Sequence, residues 1–230
     1  SGYTPTNEEA KYLIQIIKDS AEHGNNILVI CDDAYFGLVY KEGIYEESLF
    51  SKLANIHENV FAVKLDGITK EDYAWGLRVG FITYASKGIK QETCTALEAK
   101  TAGAVRGGIS NVSHYPQSLA LMAFKDGRYK FEKREKKQKF QDRFETVEKV
   151  LKNEKYSEYF SALPFNSGYF MCVELKKGLD TEKVRKTLLN EYDTGVITNG
   201  NVLRIAFSSI PEKDILQLFE NIYKVCDKYV

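Results

Sequence analysis

The segment Ile27-Leu28-Val29-Ile30-Cys31-Asp32-Asp33-Ala34-Tyr35 decides the fold class. Its unbroken apolar run is typical of a strand that is buried on both faces in a parallel sheet. Two carboxylates follow the run directly, and open α/β sheets bind their ligands at the carboxyl ends of such strands. Taken alone, the two acids are better explained as ordinary loop carboxylates. The segment therefore predicts an α/β fold with a candidate site at Asp32.

A second segment, residues 65–81, reads LDGITKEDYAWGLRVGF. Lys70 follows the predicted strand Val60-Phe61-Ala62-Val63, and Arg78 lies where the chain enters the next predicted strand. A lysine in a glycine-containing loop is most often simply solvated. It is the combination of Lys70 and Arg78 with Asp32 that indicates a binding site.

Composition excludes several classes of protein. The chain has 230 residues, with 32 Lys and Arg against 32 Asp and Glu, so its formal net charge is zero. A neutral chain does not indicate nucleic-acid binding, and no apolar run is long enough to span a bilayer. The four cysteines form no CxxC pair and the three histidines no metal-binding spacing. We therefore expect reduced thiols and no metal site.

The C-terminal part of the chain has a different pattern of predicted helices and strands. A long charged helix is predicted from about residue 128 to residue 153, with an apolar stripe that includes Phe140, Phe144 and Val147. Beyond it, predicted strands near residues 171 and 204 alternate with predicted helices. We expect a smaller α/β unit from about residue 155 onward, with the long helix as the connector.

Four motifs in this order resemble the class I and II aminotransferases, the fold-type-I enzymes that use pyridoxal 5′-phosphate. They are Asp32-x-Ala34-Tyr35, Lys70-(x7)-Arg78-x-Gly80, Asn166-Ser167-Gly168-Tyr169-Phe170 and Val202-Leu203-Arg204-Ile205-Ala206-Phe207-Ser208. Each motif alone is moderately specific, but four of them in the right order and with compatible spacings are a strong signal. The resemblance extends from residue 1 to the C-terminus.

The resemblance implies an aminotransferase-like α/β fold. A partial three-layer α/β/α large domain would be joined by a long helix to a small α/β C-terminal domain. The corresponding boundaries are residues 1–125 for the partial cofactor-binding domain, 126–154 for the connecting helix and 155–230 for the small domain.

The resemblance also implies roles for the cofactor-binding residues. Lys70 would form a Schiff base with the cofactor aldehyde and then move the proton between the substrate Cα and the cofactor C4′. Asp32, which the D-x-A-Y spacing selects over Asp33, would keep the pyridine nitrogen protonated. Tyr35 would donate a hydrogen bond to the ring 3′-oxygen, and Arg78 would clamp the phosphate as a bidentate fork.

Two further arginines are implied to bind substrate. Arg204 would pair with the substrate α-carboxylate, although a surface arginine on a strand would look the same in sequence. Leu203 and Ile205 place Arg204 on the opposite face of its strand. Arg106 resembles the arginine that some family members supply from the partner subunit to read a side-chain carboxylate, which hints at acidic substrates. The alternative for Arg106 is a cation at a helix C-terminus.

The implied activity is amino-group transfer between an L-amino acid and a 2-oxo acid, with pyridoxal 5′-phosphate as the cofactor. A β-lyase or an amino-acid decarboxylase of the same fold would use the same side chains. The aminotransferase-like effector domain of a transcription regulator is a further alternative. We expect no nucleic-acid or membrane partner, a homodimer when the protein is full-length, and a cytoplasmic location.

Two features depart from the family pattern. Gly67 stands where many members have a serine that contacts the phosphate, and Thr69 is the candidate to replace that hydroxyl in part. Ser1-Gly2-Tyr3 resembles the end of an Asn-Pro-x-Gly-Tyr motif whose asparagine would precede this chain. We therefore expect the chain to be the C-terminal portion of an aminotransferase, without the glycine-containing phosphate loop, and to be inactive by itself.

Overall fold

The computed structural model describes residues 2–230; Ser1, part of the predicted Ser1-Gly2-Tyr3 motif, lies outside the described residues. The predicted mixed α/β architecture is confirmed. The strands are β1 (Ile27–Asp32), β2 (Val60–Gly67), β3 (Gly80–Ser86), β4 (Phe160–Ala162), β5 (Met171–Leu175), β6 (Ile197–Asn199) and β7 (Val202–Ile205). The helices are α1 (Asn7–Glu22), α2 (Phe50–Leu53), α3 (Ile68–Glu71), α4 (Gln91–Gly108), α5 (His114–Lys125), α6 (Tyr129–Leu151), α7 (Thr181–Tyr192) and α8 (Ile215–Asp227). Within this part of the chain, no helix combines the length and the apolar character that crossing a membrane requires.

A three-stranded sheet in the order β1-β2-β3 forms in the first half of the chain. β1 runs parallel to β2, and Asp32 at the end of β1 pairs with Leu65. β3 runs antiparallel to β2, so that Gly67 at the end of β2 pairs with Gly80 at the start of β3. The ends of β1 and β2 and the beginning of β3 therefore lie at the same edge of the sheet.

Helices cover one face of this sheet. Cys31 and Ala62 are buried there against Leu53 of α2, and Ile14 and Ile17 of α1 pack against the same cluster. Burial of these apolar side chains is the main force that holds α1 and α2 on the sheet.

The prediction that β1 is buried on both faces is wrong. Leu28 and Ile30 lie on the face opposite α1 and α2, and their side chains are 60% and 58% exposed. Successive residues of a strand point to opposite faces, so helices packed on one face bury only every second residue. An unbroken apolar run indicates that a strand forms, but it does not show which of its faces is covered.

The second half of the chain builds a four-stranded sheet in the order β4-β5-β7-β6, in which all neighbouring strands are antiparallel. Leu203 and Ile205 of β7 are fully buried, and Arg204 lies between them on the other face, as the sequence predicts. α8 contributes the buried side chains of Phe219 and Ile222 to the core of this part of the fold.

The described residues form two compact units. The N-terminal unit consists of Pro5–Gly37 and Gly43–Phe131 and contains the β1-β2-β3 sheet. The C-terminal unit consists of Leu38–Glu42, Glu132–Val230 and residues 2–4, and contains the four-stranded sheet. The domain boundaries expected at residues 125 and 154 stay a prediction.

A cluster of aromatic rings anchors α6 in the C-terminal unit. Phe144 is 1% exposed, and its ring centroid lies 5.1 Å from those of Tyr40 and Phe165. Phe140 and Val147 are buried as well, so the predicted apolar stripe of α6 is confirmed. Ring pairs at such distances stabilise a core by about 0.5–1.5 kcal/mol each beyond the area they bury.

Replacing Phe144 by alanine is expected to lower the free energy of unfolding of the C-terminal unit by about 3–5 kcal/mol, because the surrounding rings cannot fill the cavity that it leaves. The matched control is Phe131→Ala in the same helix, where the side chain is 59% exposed. The control is expected to change the free energy by less than about 0.5 kcal/mol. Urea denaturation followed by circular dichroism measures both variants, and equal losses would contradict the anchoring role of Phe144.

Candidate functional site

A cavity of about 300 Å³ opens at the edge of the three-stranded sheet where β1 and β2 end. Its lining residues all belong to the N-terminal unit: Asp32, Ala34, Leu65, Asp66, Gly67, Thr69, Lys70, Arg78, Val79 and Gly80. The structure therefore brings together, around one cavity, the predicted cofactor-binding residues Asp32, Thr69, Lys70 and Arg78.

The two parallel strands position the key side chains of this cavity. Asp32 is the last residue of β1, and Lys70 lies in α3, the single helical turn that follows β2 directly. The backbone N–H of Ala34 donates a hydrogen bond of 3.2 Å to Oδ1 of Asp32, which orients the carboxylate. Nζ of Lys70 lies 4.6 Å from the centroid of the Tyr35 ring, a distance at which the ring attracts a cation. Tyr35, the remaining predicted cofactor residue, therefore contacts Lys70.

The loop between Lys70 and β3 has an uncommon backbone conformation. Tyr73 and Arg78 have φ angles of 58° and 54°, in the left-handed region that residues other than glycine seldom adopt. Such residues cost on the order of 1–3 kcal/mol each and persist only where their surroundings hold them. Tyr73 is buried, and the hydroxyl of Tyr129 donates a hydrogen bond to the neighbouring Asp72. These contacts fix the turn that separates Lys70 from Arg78.

Gly67 lets the end of β2 approach the beginning of β3. A Cβ atom on Gly67 would lie 2.7 Å from the carbonyl oxygen of Val79 and 3.0 Å from Cα of Gly80. Its φ of 171° is ordinary extended backbone, so the requirement for glycine is one of space. A side chain at this position has no room, and the hydroxyl available in this turn is that of Thr69, which lines the cavity.

On the face of the sheet opposite Asp32, a charged cluster joins the same two strand ends. Nζ of Lys64 contacts the carboxylate of Asp66 and lies 4.0 Å from Oδ2 of Asp33, which also accepts a hydrogen bond from Ser48. Burial raises the pKa of Asp33 above its ordinary value and outweighs the opposing effects of Ser48 and Lys64. Burial acts to lower the pKa of Lys64, but the hydrogen bond to Asp66 and the nearby negative charges outweigh it, so that this pKa is raised. Sequence reasoning missed this cluster, although the spacing Lys64-x-Asp66 within a strand places both side chains on one face.

The two predicted substrate arginines do not line this cavity. Arg106 is exposed near the end of α4, where its Nη1 donates a hydrogen bond of 2.7 Å to Oγ of Ser110. It lines a separate cavity of about 750 Å³ beside β3.

Arg204 belongs to the C-terminal unit, where its Cζ lies 3.7 Å from the centroid of the Phe170 ring. Nε of Arg204 is buried and has no hydrogen-bond partner among the described residues. A buried donor of this kind is uncommon and suits a side chain that binds an anion.

The sequence of the chain is similar to one known protein family. The family model described as aminotransferase class I and II matches residues 1–222. No curated protein matches the chain by sequence.

Several solved structures share the fold. An aminotransferase from Anaerococcus prevotii DSM 20548 is 23% identical, with a TM-score of 0.82 over 99% of this chain and 54% of that chain. The α-aminoadipate aminotransferase from Thermus thermophilus, solved with N-(5′-phosphopyridoxyl)-L-leucine, is 20% identical, with a TM-score of 0.73 over 96% of this chain and 54% of that chain. Kynurenine aminotransferase from Pyrococcus horikoshii is 17% identical, with a TM-score of 0.76 over 99% of this chain and 53% of that chain. The chain thus spans about half the length of the solved structures that it matches.

Replacing Gly67 by alanine is expected to lower the free energy of unfolding by about 1–3 kcal/mol, because the new methyl group must push the backbone of β3 away from β2. Gly76→Ala in the following loop is the matched control, since a Cβ atom there has no neighbour within 4 Å. The control is expected to change the stability by no more than about 0.5 kcal/mol. Differential scanning calorimetry measures both, and a Gly67→Ala variant as stable as the control would show that β2 and β3 are not held at this distance.

Proposed function

Because the chain belongs to the class I and II aminotransferases, we propose that it forms the lysine-bearing part of a pyridoxal-phosphate-dependent aminotransferase. The proposed reaction transfers an amino group from an L-amino acid to a 2-oxo acid. The observation that supports this most directly is the cavity at the ends of β1 and β2, which Asp32, Lys70 and Arg78 line together. Since the chain spans about half the length of its structural relatives, the activity is proposed for a protein of their full length.

The residues around the cavity fit pyridoxal 5′-phosphate. The cofactor has three groups that a protein must bind. Its aldehyde is bound covalently by a primary amine, the proton on its pyridine nitrogen is held by a carboxylate, and its phosphate is best bound by a guanidinium group. Lys70, Asp32 and Arg78 supply these groups around a cavity of about 300 Å³, within the range of small-molecule sites. The Thermus thermophilus relative was solved with a phosphopyridoxyl group. When bound, the cofactor supplies an aldehyde for the amine and a ring that withdraws electrons from the substrate.

We assign one task to each side chain of the site. The amine of Lys70 would hold the cofactor through its aldehyde group and would then carry the proton between the substrate Cα and the cofactor C4′. Asp32 would favour the protonated ring nitrogen through its negative charge. The fork of Arg78 would pair with the phosphate, and Thr69 would add a hydroxyl donor. Tyr35, whose ring lies against the Lys70 amine, would donate a hydrogen bond to the ring oxygen.

Arg204 is proposed to bind the α-carboxylate of the amino acid. The support comes from its surroundings in the C-terminal unit, where the flat face of Phe170 lies against the guanidinium group and Nε has no partner among the described residues. Stacking on a ring restricts the plane of a guanidinium group and leaves its edge available for a carboxylate.

Arg106 is proposed to read a side-chain carboxylate of an acidic substrate. Its hydrogen bond to Ser110 supports this role because it holds the guanidinium group at the end of α4. The homodimer and the cytoplasmic location of a full-length protein stay predictions.

Treatment of the chain with pyridoxal 5′-phosphate, followed by borohydride reduction, digestion and mass spectrometry, tests the proposed function. We expect the phosphopyridoxyl group on Lys70 in preference to the other lysines, because Arg78 and Thr69 bind the phosphate beside that amine. The control is Lys70→Arg, which keeps the charge and is expected to abolish preferential labelling without altering the circular dichroism spectrum. A label that is concentrated on another lysine, or spread evenly over the surface lysines, would refute the proposed function.

The role of Arg204 is tested by comparing two ligands, N-(5′-phosphopyridoxyl)-L-leucine and its decarboxylated analogue. Arg204→Gln is expected to weaken binding of the first about 10- to 100-fold, because a charge-assisted bidentate pair is lost. Binding of the analogue, which lacks the carboxylate, is expected to stay the same. Isothermal titration calorimetry measures both affinities. If the variant binds both ligands more weakly by the same factor, Arg204 does not recognise the carboxylate.

A further inference from the structure

We propose that Lys64 is a positioning residue that ties the end of β1 to the end of β2 and so fixes the backbone on which Asp32 and Lys70 are mounted. It does this from the face of the sheet that α1 and α2 cover. The importance of this role for cofactor binding rests on the proposed function. The tie between the two strands does not, because it is a property of the fold.

Lys64 bridges two carboxylates that come from neighbouring strands. Its Nζ contacts Asp66, two residues further along β2, and lies 4.0 Å from Oδ2 of Asp33, the residue that follows β1. The Ser48 hydroxyl donates a hydrogen bond to the same oxygen of Asp33, and the centroid of the Phe36 ring lies 5.2 Å from Nζ. The ammonium group is thus held from several sides.

This cluster is shielded from water. The side chains of Lys64, Asp33 and Asp66 are 21%, 17% and 18% exposed, whereas Lys41 and Glu148, an ion pair of the C-terminal unit, are 42% and 32% exposed. Charges interact more strongly where water screens them less, and removal of one partner from a shielded pair leaves the other uncompensated. Lys64 therefore attracts its two carboxylate partners more strongly than a lysine on the surface attracts its partner.

Short lengths of backbone connect Lys64 to the cavity. Asp33 directly follows Asp32, and its N–H donates a hydrogen bond of 2.8 Å to a carbonyl group of β2. Asp66 is the last residue of β2 before the glycine that precedes α3, and α3 carries Lys70. Displacement of either carboxylate therefore moves the backbone that supports a side chain of the cavity.

Lys64 also balances charge beside the cavity. Without it, the carboxylates of Asp33 and Asp66 have no cation between them at an edge that is proposed to bind a phosphate. They would then compete with the phosphate for the positive charge of Lys70 and Arg78. Loss of Lys64 is thus expected to weaken anion binding as well as to loosen the backbone.

Amide hydrogen exchange of the 230-residue chain, read by mass spectrometry over residues 66–72, tests the tie. Lys64→Met removes the charge and keeps the length of the side chain, and Lys64→Arg keeps the charge. The matched control is Lys41→Met, which also loses a carboxylate partner and a ring contact, but in the C-terminal unit. We expect exchange to be at least about 5-fold faster in Lys64→Met, within about 2-fold of the unaltered chain in Lys64→Arg, and unchanged in Lys41→Met.

Asp66→Asn is a second variant, which weakens the same contact while Asp33 remains beside Lys64. It is expected to speed exchange over residues 66–72 too, and it keeps the test available if Lys64→Met does not fold. Unchanged exchange of this segment in the variants that fold, or faster exchange spread evenly over the chain, would overturn the positioning role.

Titration with pyridoxal 5′-phosphate separates this role from the proposed function. Lys64→Met is expected to raise the dissociation constant about 10-fold, and Lys64→Arg to return it to within about 3-fold of the original value. If the unaltered chain binds the cofactor and Lys64→Met binds it equally well, the positioning role is overturned. If the unaltered chain does not bind it, the proposed assignment of this cavity to the cofactor fails for this chain, and hydrogen exchange decides whether Lys64 ties the strands.

Discussion

The parallel pairing of β1 with β2 is the constraint on which the rest of the site depends. Parallel strands end at the same edge of a sheet, so Asp32 and the turn after β2 meet although they are far apart in sequence. β3 then runs antiparallel to β2 and begins at that edge, which brings Arg78 to the same place. With β1 reversed, its carboxylate would lie at the far end of the sheet from Lys70. One choice of strand direction therefore assembles the cavity.

This edge of the sheet is also where the chain departs from its easiest conformations. β2 and β3 approach so closely at Gly67 that a side chain has no space there, and the loop that follows holds Tyr73 and Arg78 in the left-handed region. Residues of this kind need surroundings that fix them, and the buried ring of Tyr73 and the hydrogen bond from Tyr129 to Asp72 supply such contacts. Strain concentrated at one edge, and offset by packing around it, is typical of a functional site.

Sequence reasoning succeeded where one segment carried its own signal. The apolar run before Asp32 predicted β1, and the motif around Lys70 predicted the residues that line the cavity. It failed where the answer depends on what lies opposite a side chain. The exposure of Leu28 and Ile30 depends on which face the helices cover, and the contact of Lys64 with Asp33 depends on the register between two strands. Neither property is local in sequence, because both follow from how separate segments align.

Two lysines close together in sequence, Lys64 and Lys70, have different surroundings and different proposed roles. Burial acts to lower the pKa of Lys64, but the hydrogen bond and the charge of Asp66 outweigh it and raise that pKa, which favours the charged form of Lys64 over the nucleophilic neutral amine. Lys64 lies on the helix-covered face, whereas Lys70 lies beyond the end of β2, against the Tyr35 ring in the wall of the cavity. Alternation along β2 and the turn at its end thus separate a structural cation from a proposed reactive amine. Because each lysine has different neighbours, neither can replace the other.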